Sequence, residues 1–244
     1  MIKTLWNAVL YKPLYNALIF LVAIIPGGDI GIALIILTIV VKLILFPLTQ
    51  KSIKSQVAMK QIEPELAKIK AENLSREEQA RRTMELYKTK KVNPFSGCLV
   101  LLIQFPIIIA LYQVFFKGLA VIAPENLYSF VHLPTTLNTM FLGLIDMHAK
   151  SIVLAVLAGI TQFIQMKIVM PQKPTLPKPT ENKTFSEQMS QSMQFQMRYI
   201  LPVFITFVAY SISSAVALYW VTSNIVTIIQ ELFVRRKIAR AQNA

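Results

Sequence analysis

The stretch GIALIILTIVVKLILFPL, residues 31–48, decides the fold of this chain. Its 18 residues are apolar except for Thr38 and Lys42, and a helix of that length crosses the hydrocarbon core of a bilayer. An ammonium group at the centre of a spanning helix costs roughly 2.5–3.5 kcal/mol on insertion scales. Lys42 is therefore a candidate functional residue. The alternative is that its flexible stem only carries the charge to the headgroups.

The composition of the whole chain is that of an integral membrane protein. Of its 244 residues, 55% are hydrophobic and 15% are charged, whereas soluble proteins carry about 25% charged residues. The net charge of +13 is explained by basic residues on the cytoplasmic side of membrane spans. Nucleic acid is not expected as a primary ligand, since no basic face alternates with aromatic side chains.

The sequence also argues against metal and nucleotide chemistry. One cysteine, Cys98, and two histidines, His132 and His148, predict neither an internal disulfide nor a metal site. No P-loop motif occurs, so ATPase activity is not expected. We predict no cofactor and no catalytic residues, and hence a protein that is not an enzyme.

The N-terminus also lacks the pattern of a cleaved signal peptide.

Apolar segments predict an all-α polytopic membrane protein with a five-span core bundle. The last two spans come from one uncharged tract of 32 residues, 199–230. As a single helix this tract would be about 48 Å long, well beyond a hydrocarbon core of about 30 Å. Two helices joined by a tight turn at 211–214 fit better. The five predicted spans are residues 31–50, 95–117, 151–170, 198–213 and 214–234.

The segment between the first two spans, residues 51–94, predicts a helical hairpin outside the membrane. It holds eleven Lys/Arg and six Glu, and its apolar residues recur at helical spacing. The pattern breaks at 73–75, after which Ser75 and Glu78 form a capping-box motif. Its charges indicate either a solvated two-helix spacer or a docking surface.

The remaining segments flank or connect the spans. Residues 1–30 predict an amphipathic interfacial or re-entrant helix, because the apolar stretch 14–25 is short for a span and lies between Pro13 and Pro26. The others are an extracytoplasmic loop at 118–150, a cytoplasmic Pro/Lys linker at 171–197 and a basic cytoplasmic tail at 235–244.

Counts of Lys and Arg orient the bundle. The 51–94 segment has eleven, the 167–198 segment five and the tail four, whereas the 117–150 segment has two. Because basic residues stay on the cytoplasmic side, we expect the N-terminus outside and the C-terminus inside a bacterial plasma membrane.

Polar side chains recur on the predicted spans. Thr38 and Lys42 are four residues apart and therefore share one helix face. Amides and hydroxyls in lipid seek partners or water, so these residues should point into the bundle. Each alone is accounted for by a plain interhelical hydrogen bond, but their joint presence with a cation indicates a polar path. The other members are Gln104, Gln162, Gln165, Ser223 and Asn224.

Four segments, taken in order, resemble the YidC/Oxa/Alb family of membrane protein insertases. They read TIVVKLILFPLTQKSIKSQ, YKTKKVNPFSGCLVLLIQFPIIIALY, AGITQFIQ and LYWVTSNIVTIIQ. The similarity covers residues 8–237, and the combination is specific although the NPxxGC, QxPI and LYWxxSN elements are each weak alone. The chain is similar to the minimal five-span core, without the large extracytoplasmic domain of the Gram-negative members.

The resemblance implies a groove that opens to the cytoplasm and to lipid and is sealed on the outside. Lys42 takes the place of the family's groove cation, usually arginine, and Thr38 lies one turn earlier. The 51–94 hairpin corresponds to a cytoplasmic hairpin that receives substrate. The other groove positions implied are Gln104, Phe105, Ile108, Gln165 and Trp220.

This chain departs from the family at two points. Lysine keeps the charge of the usual arginine but lacks its planar fork for binding carboxylates. The turn that often holds Pro and Gly reads Ser213-Ser214-Ala215 here.

The resemblance implies an insertase and chaperone without covalent chemistry. It would move short hydrophilic tails across the membrane and release transmembrane segments into lipid. Its implied partners are nascent membrane proteins, ribosome–nascent chain complexes and membrane lipids, and it would act alone or beside a Sec-type channel.

The alternative is a small ion or solute transporter with Lys42 in its path, although no internal repeat is visible. A membrane enzyme lacks an acid–base–nucleophile set. A pure scaffold would tolerate substitutions at Lys42, Thr38 and Trp220.

Overall fold

The computed structural model of the protein describes residues 2–72, 74–93, 96–115, 126–134, 136–169 and 192–242. They divide into two compact units. The first contains Met1–Ile44 and Pro106–Ile229, and the second contains Leu45–Phe105 and Gln230–Ala244. Most of the predicted linker at 171–197, part of the predicted loop at 118–150 and Asn73 of the predicted hairpin break lie outside the described residues.

The first unit begins with a helix that continues through Pro13. Helix α1 (Ile2–Trp6), a π-helical segment (Asn7–Tyr11) and α2 (Lys12–Ile24) follow one another directly. The Lys12 N–H bonds to the Asn7 carbonyl, and this wider spacing just before Pro13 accommodates the missing proline donor. Lys3–Ile24 is a candidate span by length and composition.

Helix α3 (Ile30–Ile44) ends at Ile44 rather than at the predicted residue 50. Pro47 explains the early end, because it has no N–H and its ring would clash with the Leu43 carbonyl in a continuous helix. The chain resumes as α4 (Phe46–Gln61), whose first turn is closed by bonds from the N–H groups of Leu48 and Thr49 to the Leu45 carbonyl, at 3.1 and 3.0 Å.

The second unit contains α4, α5 (Glu63–Ala71) and α6 (Arg76–Thr89). We predicted two helices across 51–94, but the chain also breaks at Ile62, between α4 and α5. Pro64 lies in the first turn of α5, just after this break. Helices α5 and α6 lie side by side and antiparallel, and two ion pairs join them. Lys90 Nζ lies 2.6 Å from Glu65 Oε1, and Arg82 Nη1 lies 2.6 Å from Glu72 Oε2.

Ser75 is the N-cap of α6, as predicted, since its hydroxyl accepts the Glu78 N–H at 3.2 Å. The second half of the predicted capping box does not form within the described residues. The Glu78 carboxylate instead accepts from Arg81 at 2.9 Å and from Arg82 at 3.2 Å. The arginine contacts hold the carboxylate on the helix surface.

A β-hairpin organises the segment that we predicted only as a loop. Strands β1 (Met140–Phe141) and β2 (Ile145–Asp146) pair antiparallel. On one flank the Ile30 N–H donates to the Asn138 carbonyl at 3.1 Å, and on the other the Ser214 N–H donates to the Ala149 carbonyl at 2.8 Å. These bonds tie the hairpin to the first residues of two helices.

Four further helices are described: α7 (Ser96–Gln113), α8 (Ile152–Val169), α9 (Leu201–Ser211) and α10 (Ser214–Gln242). The long uncharged tract breaks where Ile212 has φ −97° and ψ −104°. Helix α10 runs on to Gln242 and so includes most of the predicted tail from residue 235. A Cβ at Gly159 of α8 would overlap the Thr206 hydroxyl of α9, so glycine allows these helices to pack closely.

The chain is therefore a mostly helical membrane protein. Lys3–Ile24, Ile152–Val169 and Ser214–Gln242 are long and apolar enough to span a bilayer. A fourth span is counted if Ile30–Ile44 and Phe46–Gln61 form one broken span.

Candidate functional site

The candidate site centres on Lys42, which is only 8% exposed although it carries a charge. Its Nζ donates to the Thr227 hydroxyl at 3.1 Å. That hydroxyl donates in turn to the Ser223 carbonyl, four residues earlier on α10, at 2.8 Å. Because the hydroxyl has one proton and uses it on Ser223, its lone pairs are left to accept from the ammonium.

Thr38 lies one turn before Lys42 on α3 and is also buried. Its hydroxyl donates to the Leu34 carbonyl at 2.7 Å. This bond satisfies the hydroxyl proton within its own helix, while the oxygen keeps acceptor capacity. The shared face predicted for Thr38 and Lys42 is therefore a buried face.

A second polar contact joins α10 to α8. The Asn224 side chain is buried, and its Nδ2 donates to Thr161 Oγ1 at 3.2 Å and to the Ala158 carbonyl at 3.4 Å. One turn further along α8, Gln165 Oε1 is buried without a hydrogen-bond partner in the described part of the chain. An uncompensated amide oxygen in the interior would be stabilised by water or a polar ligand group.

The structure brings five of the seven predicted groove residues into the first unit: Thr38, Lys42, Ile108, Gln165 and Trp220. Trp220 is 8% exposed, so its ring is packed inside the protein, and Ile108 is half-buried. Gln104 and Phe105 belong to the second unit. Phe105 is 59% exposed and Gln104 is half-buried.

Sequence reasoning missed Thr227 as the partner of the cation. The available signal was its spacing, since Thr227 lies one helical turn after Ser223 and shares its face. The chemistry that results is electrostatic: a buried ammonium, hydroxyl groups and amides can attract and solvate a polar or acidic segment.

Comparison with known proteins identifies the family. The profile of the 60Kd inner membrane protein matches residues 21–241. The chain belongs to this family. The YidC/Oxa/Alb resemblance seen in the sequence is thereby confirmed.

Relatives within the family are named membrane protein insertase YidC. That of Fusobacterium nucleatum is 34% identical, with 86% of this chain covering 88% of the relative. That of Oceanobacillus iheyensis is 32% identical, with 95% of this chain covering 84% of it. The YidC of Citrifermentans bemidjiense is 32% identical, and the match covers 96% of this chain but only 38% of the relative.

A crystal structure of an active YidC insertase, with its first transmembrane domain resolved, shares the fold. The TM-score is 0.56 at 24% sequence identity, and the match covers 95% of this chain and 49% of that one. The chain thus spans about half of that structure. Together with the apolar helices, these relatives make the chain a bacterial membrane protein.

Proposed function

We propose that this chain is a membrane protein insertase that offers a polar, positively charged groove to its substrates. The observation that carries the proposal is the buried Lys42 ammonium, which the Thr227 hydroxyl holds at 3.1 Å within an apolar helix bundle. The names of the relatives at 32% and 34% identity point the same way. Those relatives are insertases, so a transporter gains no support.

The groove acts by lowering the cost of moving polar groups across the membrane. Water around Lys42, Thr38 and Gln165 shortens the low-dielectric path that a hydrophilic tail must cross. The ammonium attracts acidic residues of the tail, and the membrane potential assists their movement outward.

Release of the substrate into lipid follows an apolar route. The flank of a transmembrane segment slides along exposed apolar side chains of α7, such as Phe105. The driving free energy is the burial of the substrate's apolar surface, about 0.8 kcal/mol per CH₂ group. This mechanism uses neither a cofactor nor a covalent intermediate.

We propose a five-span arrangement with the N-terminus outside and the C-terminus in the cytoplasm. The first residues of α3, α8 and α10 all form hydrogen bonds with the segment 138–151. This supports placing the N-terminal ends of the three helices on the same, outer side of the membrane. The basic residues of α4–α6 favour the cytoplasm for the 51–94 hairpin. There it would receive nascent membrane proteins from ribosome complexes, alone or beside a Sec-type channel.

The N-terminal helix is proposed to lie along the outer membrane boundary. Trp6 Nε1 donates to Gln113 Oε1, at the end of α7, at 3.0 Å. Asn16 Nδ2 donates to the Asn126 carbonyl at 2.9 Å, and the Tyr128 N–H donates to Asn16 Oδ1 at 2.6 Å. These contacts, made by Trp6 and Asn16, join the N-terminal segment to the end of α7 and to a loop, and they support an interfacial helix.

The test is insertion of a membrane protein with an acidic N-terminal tail into proteoliposomes. We expect Lys42→Glu to reduce insertion strongly, because it replaces attraction by repulsion, and Lys42→Arg to retain most of it. Photocrosslinkers at positions 38, 105 and 220 should capture the ribosome-bound nascent chain. Equal insertion by the Glu variant and the wild type would refute the electrostatic role.

A further inference from the structure

The tip of the β-hairpin exposes apolar side chains outside the proposed groove. Leu142 is 61% exposed and Leu144 is 79% exposed, on either side of Gly143. The whole run from Met140 to Ile145, MFLGLI, contains no charged or polar side chain. A water-facing turn is normally built from Gly, Asn, Asp and Ser rather than from leucines.

Asp29 holds this tip in place. Its Oδ2 accepts the Leu142 N–H at 2.8 Å, while its Oδ1 accepts the Ile32 N–H at 3.0 Å in the first turn of α3. Leu142 has φ +52°, a conformation that leucine rarely adopts. The Phe141 ring occupies the space that a Cβ at Gly31 would fill. The exposed leucines are thus clamped beside the start of α3.

On its other side, the hairpin segment is hydrogen-bonded to the beginnings of two more helices, α8 and α10. The Ala215 N–H donates to the Met147 carbonyl at 3.1 Å, next to the bond between Ser214 and Ala149. Ser151 then accepts the Leu154 N–H and begins α8. Helices α8 and α10 are candidate spans, and the ends of a span lie near the boundary between headgroups and acyl chains.

We propose that the 142–144 turn docks into the lipid leaflet at which α3, α8 and α10 begin. A lipid surface fits because the tip is apolar, uncharged and level with the helix starts, where acyl chains can cover both leucines. The docked turn anchors the loop at the membrane boundary. This inference depends on the membrane-spanning helices and not on insertase activity.

Fluorescence of a labelled tip in nanodiscs tests the proposal. In a Cys98→Ser background, Leu144→Cys carries an NBD label, and His132→Cys, exposed on the same loop, is the matched control. Nanodiscs of phosphatidylcholine and phosphatidylglycerol contain one copy of the protein and a shallow doxyl lipid. We expect blue-shifted emission at position 144 and quenching about twofold stronger than at 132, because the tip lies among acyl chains.

Water-like emission and equal quenching at the two positions would overturn lipid docking. That result would leave a protein partner, absent from these nanodiscs, as the occupant of the tip. The unmodified protein provides a second measurement that no label can disturb. With a diazirine-tailed phosphatidylcholine, we expect adducts on the 140–150 peptide, and adducts confined to the helices would also count against the proposal.

Discussion

Lys42 Nζ lies 3.1 Å from Thr227 Oγ1, although the two residues are 185 positions apart in the chain. The hydroxyl is oriented by its own bond to the Ser223 carbonyl at 2.8 Å. Helix α10 therefore determines where the charge on α3 is held. This pairing explains how an apolar helix can carry a lysine at that position, since hydrogen bonding to a charged group offsets part of its desolvation.

Removal of the Thr227 hydroxyl should weaken both the fold and the groove. Thr227→Val deletes the acceptor of a charged hydrogen bond, which is worth about 1.5–3 kcal/mol. We expect a lower unfolding temperature in detergent and reduced insertion of acidic-tailed substrates. Thr222→Val is the matched control, because Thr222 is also buried on α10 and its hydroxyl donates to the Leu218 carbonyl of the same helix. Equal losses of insertion in the two variants would contradict the special role of Thr227.

Substitution of Asp29 should loosen the outer segment. Asp29→Ala removes acceptors for the N–H groups of Ile32 and Leu142, and loss of a helix cap alone costs about 0.5–2 kcal/mol. We expect faster amide hydrogen exchange at residues 138–147 and a lower unfolding temperature. Asp146→Ala is the control, since its carboxylate accepts the N–H of the nearby His148 within the same loop. Unchanged exchange in the Asp29 variant would argue against the clamp.

Close packing of α8 on α9 should make Gly159 intolerant of a side chain. Gly159→Ala places a methyl group against Thr206 Oγ1, and overpacking of this kind costs about 1–3 kcal/mol. Thr206→Ala in the same chain should recover part of the loss, because it removes the overlapping oxygen, whereas Thr206→Ser should not. Thermal unfolding of the wild type, of Gly159→Ala and Thr206→Ala singly, and of the double variant measures the coupling, and strictly additive effects would refute the contact.

The α6 helix should respond to acid through Glu78. Hydrogen bonds from Arg81 and then Arg82 lower the pKa of this carboxyl below its ordinary value of 4.5. A lowered pKa means that the stabilising contribution is complete above pH 4.5 and is lost as the pH falls through the lowered value. Carbon NMR of labelled glutamate in the full chain would measure the titration. Arg81→Ala with Arg82→Ala should raise the pKa, and Lys88→Ala should leave it unchanged.

Local rules predicted some features well and missed others. The break in the tract at 199–230 could be predicted, since a helix of that length exceeds the bilayer. The N-cap at Ser75 also followed from a local motif. Proline was harder to interpret: Pro47 and Pro64 begin new helices, whereas the helix passes through Pro13 by way of a π-helical segment. Whether a chain resumes its helix after a proline depends on the surrounding contacts.

The sequence by itself determined that this is a helical membrane protein of the YidC/Oxa/Alb type with a cation inside an apolar helix. Hydrophobicity, length and charge are properties of single segments and can be read locally. Only the tertiary structure decided three hydrogen bonds: Lys42 donates to Thr227, Asn224 donates to Thr161, and the Leu142 N–H donates to Asp29. Each of these contacts joins residues from distant parts of the chain, and their geometry exists only once the helices have packed.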